Sequence, residues 1–444
     1  MADVLGMKHR DVLSLELPGY RPRRQFSIEK KGGIDLKAEG LKVSNEGVNG
    51  IKGYKFAGVS CGIKKSGRED LALIYSEVPA AAAGVFTTNK SKAAPVLVDL
   101  ENIKSAVTRA VVINSGNANA CTGKKGMENA REMVELTAGL LKADKSEVLV
   151  SSTGIIGVQL PMEKVRAGIE KAVAGLAPDG GDAAARGIMT TDTREKKVTV
   201  KVNLSTGEVT VGAIAKGSGM IHPNMATMLC FMLTDAAVEK HLLQEILKET
   251  VDDTFNMISV DGDTSTNDMV IALANGTAGN EKITEKDGDY DKLSAAFKAA
   301  AEAMAVEIVR DGEGATKLLK ACVINAPTKQ DARTGAKAIV SSSLVKAAFF
   351  GEDANWGRVL CALGYSGADF DPGSVDMYFS SKIGAIKLVE KGEGLVFDEA
   401  KAAEILGETD IEILVDLNCG KFSATAWGCD LSYDYVKING SYRT

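Results

Sequence analysis

The chain has 444 residues, 45% of them hydrophobic and 25% charged, with a formal charge of -6. That length exceeds one minimal core and points to two or three domains. No basic block marks a nucleic-acid partner, and no apolar run reaches the roughly 18 residues that a membrane span needs.

Residues 1–48 mix charge, Pro18, Pro22 and glycines without sustained periodicity and read as an N-terminal extension. Regular structure is expected from YKFAGVSCGIKK onward. DLALIYSE, AAAGVFTTN and PVLVDL read as strands, and TRAVVINSGNANACTG as a strand ending in a Gly/Asn-rich loop. GMENAREMVELTAGLL has a 3.6-residue period and a closing glycine, the pattern of a helix. SEVLVSSTGIIG reads as a strand and a glycine-bearing turn, and EKVRAGIEKAVAGL as a helix. KVTVKVNL and EVTVGAIAKG alternate as a β-hairpin does. TMLCFML, apart from its threonine, is wholly apolar, as a strand buried on both faces would be. AAVEKHLLQEILKET predicts an amphipathic helix with Leu243, Ile246 and Leu247 on one face. FNMISVDGDTSTNDMVIALANG reads as strand, polar turn, strand, and KLSAAFKAAAEAMAVEIVRDG as a long helix. GATKLLKACVINA, RVLCALGYSG and TDIEILVDLNCGKFSATAWGCDL supply later strands. The alternation, with many hairpin-like turns, favours a layered α/β sandwich with mixed and antiparallel sheets over a doubly wound parallel sheet. Neither GxGxxG after a first strand nor GxxxxGK[ST] occurs.

The histidines, His9, His222 and His241, are far apart and match no zinc spacing. Seven cysteines contain no CxxC pair. With no secretory segment, they imply a reducing compartment and mostly buried thiols. The opening residues lack an apolar signal core and carry early acids, so a cytoplasmic protein is expected, with no membrane and no nucleic-acid partner.

Thr227 is the one hydroxyl at the mouth of the TMLCFML strand, and KGSGMIHP precedes it closely. By propensity it is a β-branched residue that suits a strand. The sharper reading is a nucleophile. A threonine hydroxyl needs a base, and an N-terminal threonine finds one in its own amine. For that, the Ala226–Thr227 bond must break. The hydroxyl would attack the Ala226 carbonyl, the amide would become an ester, and water would release two chains. Gly217, Gly219 and Pro223 would let the approach take an unusual path.

KGSGMIHPNMATMLCFMLTDA closely resembles the processing-site segment of the arginine-biosynthesis ornithine acetyltransferase (glutamate N-acetyltransferase) family. YKFAGVSCGIKKSGREDLALI, VFTTNKSKAAPV, NSGNANACTG, SSTGIIG, MTTDT, DGDTSTNDM, DGEGATK, GEDANWGR and YVKINGSYRT resemble the same family, in order over about residues 50–444. The resemblance implies a self-cleaving threonine-nucleophile enzyme, with an alpha chain of residues 49–226 behind the extension and a beta chain of residues 227–444, tending to associate as α2β2. It implies a ping-pong reaction: N2-acetylornithine acetylates Thr227 and leaves as ornithine, then glutamate takes the acetyl and leaves as N-acetylglutamate. No cofactor or metal is implied; whether acetyl-CoA also serves as a donor stays open.

The same resemblance assigns roles. Thr153 and Gly154 match the oxyanion hole. Thr190, Lys216, Glu313, Asn439 and Thr444 match substrate contacts, with Thr191 an alternative to Thr190. The last two would make the C-terminus functional, against the usual fraying of chain ends. Three decoys are set aside. DGDTSTND offers oxygens at alternate positions, yet position six is Thr266 and position twelve Ala272, so a polar structural turn is expected rather than a calcium loop. His222 reads as loop structure and Cys230 as core. Two other readings stand beside the acetyltransferase: a self-processing threonine amidohydrolase or aminopeptidase that uses water, and an uncleaved, non-catalytic α/β binding protein.

Overall fold

A computed structural model of the chain describes residues 40–222 and 228–441, with the backbone of two short strands nearer the N-terminus. The strands are β1 (Phe26–Ser27), β2 (Asp35–Leu36), β3 (Leu41–Ser44), β4 (Tyr54–Val59), β5 (Leu71–Phe86), β6 (Thr108–Asn117), β7 (Val148–Ile155), β8 (Lys196–Leu204), β9 (Gly207–Lys216), β10 (Leu229–Thr234), β11 (Ile258–Ser259), β12 (Met269–Ala274), β13 (Leu318–Ala326), β14 (Asp376–Ser381), β15 (Gly384–Glu390), β16 (Glu393–Gly394), β17 (Asp410–Asp416) and β18 (Phe422–Cys429). The helices are α1 (Ala94–Asn102), α2 (Gly123–Leu141), α3 (Met162–Ala174), α4 (Gly181–Ile188), α5 (Lys240–Asp253), α6 (Gly288–Arg310), α7 (Lys329–Ser341), α8 (Ser343–Phe350), α9 (Trp356–Gly364), α10 (Glu399–Leu406) and α11 (Tyr433–Ser441).

Two mixed sheets organise the molecule, as the sequence pattern predicts. The larger runs β3-β8-β9-β10-β12-β5-β6-β7, with β4 added to β5. It is parallel only at β10–β12 and β6–β7. The smaller runs β11-β18-β13-β17-β14-β15-β16, parallel at β11–β18 and β13–β17. β10 is buried along its whole length. Cys230 and Met232 enter one core, while Leu229, Phe231 and Leu233 enter another. Both faces are covered, so the strand needs no polar alternation.

The first core runs through both sheets, so the packing does not divide into the separate domains that length suggested. α6 lies against β8 and β9 of the larger sheet and against β11 and β18 of the smaller. Its buried Ala296, Ala299, Ala300 and Ala303 leave little side-chain bulk to hold the layers apart. Asp287 starts this helix by accepting from the Asp289 and Tyr290 N–H groups. The opposite face of the larger sheet is covered by α4, and its β4–β7 end by α1, α2 and α3.

Several expectations are corrected. PVLVDL forms α1, not a strand. Pro95 sits in its first turn, where proline is tolerated, and the buried Asp99 carboxylate accepts from Val150 N at 2.8 Å. Valine propensity for strands is overridden by this docking. RVLCALGYSG forms α9, not a strand: Asn355 caps it at Arg358 N, and buried Val359, Ala362 and Leu363 follow the helical i, i+3, i+4 spacing. DLALIYSE and AAAGVFTTN join in one strand, β5, whose register shifts between Tyr75 and Ala80. Part of the supposed extension belongs to the fold, since β3 pairs with β8. The cysteines are all free, but Cys121, Cys361 and Cys419 are exposed and only Cys230, Cys322 and Cys429 are buried. Among the described residues, no helix is long and apolar enough to cross a membrane.

A buried ion cluster ties β8 to the end of α6. Lys196 Nζ lies 2.7 Å from Asp192 Oδ1 and 2.5 Å from Asp311 Oδ2, with all three side chains almost fully buried. Burial opposes the Asp192 charge, but Lys196 and Lys216 outweigh it and hold this carboxyl below the usual range. Replacing Lys196 by Met should strand two buried carboxylates and cost about 3–5 kcal/mol in denaturant unfolding at pH 7. The depressed Asp192 contributes stability that is complete above the unfolded carboxylate value of about 3.9 and fades as pH falls towards its lower folded value. Urea midpoints measured from pH 7 to pH 3 should therefore show a larger acid-side loss in the wild type than in the Met variant.

Candidate active site

β7 ends where it crosses closest to β6. Gly154 has φ 129°, and a Cβ on it would lie 2.4 Å from the Gly116 carbonyl carbon. Only glycine on β7 allows the two backbones to pass at this separation. The crossing leaves Thr153 facing the end of β9. There Lys216 Nζ lies 3.3 Å from Thr153 Oγ, within a weak hydrogen bond, and both residues are buried. The ammonium can only donate, so it occupies a lone pair of the hydroxyl and leaves the hydroxyl proton free to turn elsewhere.

Asp192 connects the remaining pieces. Its Oδ2 accepts from Thr190 N at 2.9 Å, and its Oδ1 accepts from Gly217 N at 2.7 Å and from Lys196. One carboxylate thus fixes the turn after α4 and the chain leaving β9. Ser218 Oγ donates to the Asp311 carbonyl at 2.7 Å, and Glu313 N donates to the Ser218 carbonyl at 3.0 Å. Gly219 then lets the Glu313 side chain come close, since a Cβ there would lie 2.5 Å from its carboxylate. From the C-terminal helix, Asn439 Nδ2 donates to Glu313 Oε2 at 2.9 Å. That helix seats against Gly314, where φ is 70° and a Cβ would meet Tyr435 N at 2.5 Å.

These segments line an open cleft. Its lining includes Thr153, Gly154, Thr190, Lys216, Glu313 and Asn439, all singled out in the sequence, and Thr191 as well. Met228 and Leu229 form part of the wall. Ala226, Thr227 and Thr444 lie outside the described residues. Thr190 and Thr191 both face the cleft, so its lining does not choose between them.

Asp261 accepts from Met220 N at 2.6 Å and Ile221 N at 2.8 Å, so it braces the loop beside the cleft. Among the described residues, no group of three or more His, Cys, Asp or Glu side chains could hold a metal. His222 is not among the residues lining the cleft, and its Nδ1 lies 3.0 Å from Ser259 Oγ. Burial, helped by Lys337, pushes its pKa down to about 4. Cys230 is core.

Residues that sequence reading missed come from the same polar turn it had treated as structural. Ser265, Asn267 and Asp268 line the cleft. Asn267 Nδ2 donates to the Ala118 and Ser152 carbonyls, at 2.6 and 2.8 Å, and so braces the ends of β6 and β7. Asp268 is 3% exposed, and its Oδ2 has no hydrogen-bond partner among the described residues. Burial pushes its pKa well up, with Ser265 and Lys216 offsetting part of the effect. Burial also lowers the Lys216 pKa, against the attraction of Asp192, with Lys196 adding to the depression. The signal available in the sequence was position: Asp268 immediately precedes the apolar strand β12.

The cleft therefore combines hydrogen-bond donors at a strand end, a buried lysine with weakened charge, and a carboxylate held by a C-terminal amide. Such a set suits acyl transfer involving a cationic amino acid. The ArgJ family model matches residues 55–444. The chain is 57% identical over 393 residues to the arginine biosynthesis bifunctional protein ArgJ of Caldanaerobacter subterraneus subsp. tengcongensis, covering 88% of this chain and 97% of that one. It is 56% identical over 395 residues to the protein of the same name from Thermotoga neapolitana, covering 88% and 99% respectively. The crystal structure of arginine biosynthesis bifunctional protein ArgJ from Bacillus halodurans is 45% identical, covers 48% of this chain and 98% of that chain, and superimposes with a TM-score of 0.46. Matched from residue 55 to residue 444, and more than half identical to these curated relatives, the chain belongs to the ArgJ family of arginine-biosynthesis enzymes.

Proposed function

We propose that the protein cleaves itself between Ala226 and Thr227 and then carries acetyl from N2-acetylornithine to glutamate on the Thr227 hydroxyl. One observation carries this reading. Six residues matched to the family's site, from five separate segments, line a single cleft whose wall includes Met228, the residue that follows Thr227. β10 pairs with β9 and β12, so strands from both sides of residue 226 share one hydrogen-bonded ladder. The alpha and beta pieces would stay joined after the cut.

In the transfer, the free amine of Thr227 takes the hydroxyl proton as the oxygen attacks the acetyl carbonyl. Thr153 Oγ–H and Gly154 N–H donate to the oxygen that gains charge. The Lys216 contact to Thr153 favours this by leaving the hydroxyl proton available. The tetrahedral intermediate collapses, the C–N bond breaks, and the proton passes to the departing ornithine nitrogen. Glutamate attacks the acetyl ester in the second half, and Thr227 is restored. Glu313 holds the ammonium of the ornithine side chain, and Asn439 keeps its carboxylate in place. Thr190 and Thr444 complete the substrate contacts. Ornithine, glutamate and their N-acetyl forms are the partners, the assembly is α2β2, and the reaction is cytoplasmic. No cofactor takes part.

A second reading adds acetyl-CoA as a donor, favoured by the description of the curated relatives as bifunctional. Intact mass spectrometry under denaturing conditions separates these readings. Two chains should appear, the smaller beginning at Thr227 and gaining one acetyl after incubation with N2-acetylornithine. The same gain from acetyl-CoA would establish the second activity, and a single chain that never gains acetyl would overturn the proposal. Acetyl lost to water as readily as to glutamate would instead favour the amidohydrolase.

Two substitutions test the roles. Thr153→Ala should lower kcat by about 10²–10³-fold, the usual loss for one oxyanion donor. Glu313→Gln should raise KM for N2-acetylornithine far more than KM for glutamate, because only the former carries a side-chain ammonium; steady-state kinetics with both substrates would show it.

A further inference from the structure

The Gly/Asn-rich end of β6 and the polar turn before β12 are far apart in sequence, and one side chain joins them. Asn267, 5% exposed, donates from Nδ2 to the Ala118 carbonyl at 2.6 Å and to the Ser152 carbonyl at 2.8 Å. Its Oδ1 accepts from Thr266 Oγ at 2.6 Å. An asparagine amide has two hydrogens to give, and both are committed here. Carbonyls only accept, so the amide cannot turn over without setting its oxygen against two others. Asn267 lines the cleft, yet it has no hydrogen left for a ligand. The Ser152 carbonyl and Thr153 N belong to one planar peptide unit. Fixing that carbonyl fixes the direction in which β7 delivers Thr153, and Gly154 follows at once. The Ala118 N–H in turn donates to the Ile155 carbonyl at 2.8 Å. Asn267 therefore grips β7 before the Gly154–Gly116 approach and, through Ala118, the chain after it. Ser152 Oγ adds a bond to Asn114 Oδ1 at 2.6 Å, and Asn114 Nδ2 donates to the Asn117 carbonyl at 2.8 Å. The turn that carries Asn267 is itself pinned. Thr87 Oγ donates to the Ser265 carbonyl and Ala93 N to the Thr266 carbonyl, both at 2.9 Å.

We propose that Asn267 is a positioning residue for the oxyanion donors, acting on the reaction through Thr153 and Gly154 and not through the substrate. The proposal rests on the reading of those two residues as the oxyanion hole. A donor stabilises developing charge only when its hydrogen points to where the oxygen will be. β7 needs help to hold that direction. It stands at the edge of the larger sheet and pairs there with β6 alone among the described residues. Gly154, at φ 129° and without a Cβ, adds little restraint of its own. The Lys216 contact to Thr153 is long, at 3.3 Å. Asn267 supplies the restraint that a second neighbouring strand would otherwise give. It lies after residue 226 in sequence and both its acceptors lie before it. After the proposed cut, the beta piece would align donors carried by the alpha piece.

The test is a double-mutant cycle on the full chain: wild type, Asn267→Ala, Thr153→Ala and the double variant. Steady-state kinetics with N2-acetylornithine and glutamate gives kcat and both KM values, expressed per cleaved enzyme counted by intact mass. Circular dichroism checks folding. Asn267→Ala should lower kcat by about 100-fold, the scale of loss for a misplacement near 1 Å, with both KM values little changed because the donors act in the transition state. In the Thr153→Ala background the same substitution should cost about 10-fold or less, because one of the donors it aligns is already gone. Equal losses in the two backgrounds would overturn the proposal, since a substrate contact or a general weakening of the fold adds independently. An unchanged kcat, or a rise in one KM alone, overturns it as well. If Asn267→Ala does not fold or is not cut, Thr266→Val carries the test, because it removes the hydroxyl that orients the amide. That variant should show a smaller fall in kcat at unchanged KM, and a wild-type kcat there counts against the proposal in the same way. A Thr153→Ala enzyme as fast as the wild type is a different result, since it removes the oxyanion reading itself.

Discussion

The Asp192 carboxylate, buried and charged, holds the cleft together. It accepts from the Thr190 and Gly217 amides and from Lys196 at once. A buried charge survives only if paired and hydrogen-bonded, and here each of its donors sets a different wall of the cleft. Lys196 joins it to Asp311 and hence to the turn that carries Glu313. The cation that neutralises Asp192 and the anion that sits across from it are both out of water, so the arrangement has little freedom to drift. Lys216 lies beside this cluster and is affected by it in two directions: Asp192 favours its charge while burial and Lys196 oppose it.

Close backbone approach supplies the second constraint. Gly154 against Gly116 and Asn117, Gly219 against Glu313, and Gly314 against Tyr435 are three contacts with no room for a Cβ. They occur where β6 meets β7, where the loop after β9 meets the carboxylate, and where the C-terminal helix lands. Each brings a functional group closer to the cleft than ordinary side-chain packing permits. The C-terminal helix is otherwise exposed. It is held by polar contacts, Asn439 with Glu313 and Ser432 with the Gly314 carbonyl, rather than by a buried apolar face.

A self-processing enzyme has to perform two acyl transfers at one hydroxyl with different resources. In the first, the acyl group is the chain itself and no free amine exists. In the second, the amine is present and the acyl group arrives with a substrate. The charged and polar groups of the cleft are spatially sorted. Lys216, Thr153 and Gly154 gather at the ends of β7 and β9, while Asp268 and Met228 stand at the ends of β12 and β10.

Much of this was legible in the sequence. The apolar run 228–233, without polar alternation, announced a strand covered on both faces, and the frequent hairpins announced mixed sheets. The motifs SSTGIIG, MTTDT, KGSG, DGEGATK and YVKING carried residues that line the cleft, and each places glycine or a small polar residue next to a group of interest. The failures have physical causes. Val96 and Val98 favour a strand locally, yet the segment docks as a helix whose buried Asp99 accepts from Val150 N of β7. The DGDTSTND turn looks self-contained, but it crosses between sheets: β11 pairs with β18 and β12 with β10 and β5. That crossing brings Asn267 and Asp268 to the cleft, and no local pattern encodes it. The sequence by itself determined most of the element types, the family and the identity of most groups in the cleft, because periodicity and motif are properties of short stretches. Tertiary structure alone decided that Asp192 unites three segments and that Asp268 keeps an unused oxygen there, because burial and hydrogen-bond satisfaction depend on which distant strands lie side by side.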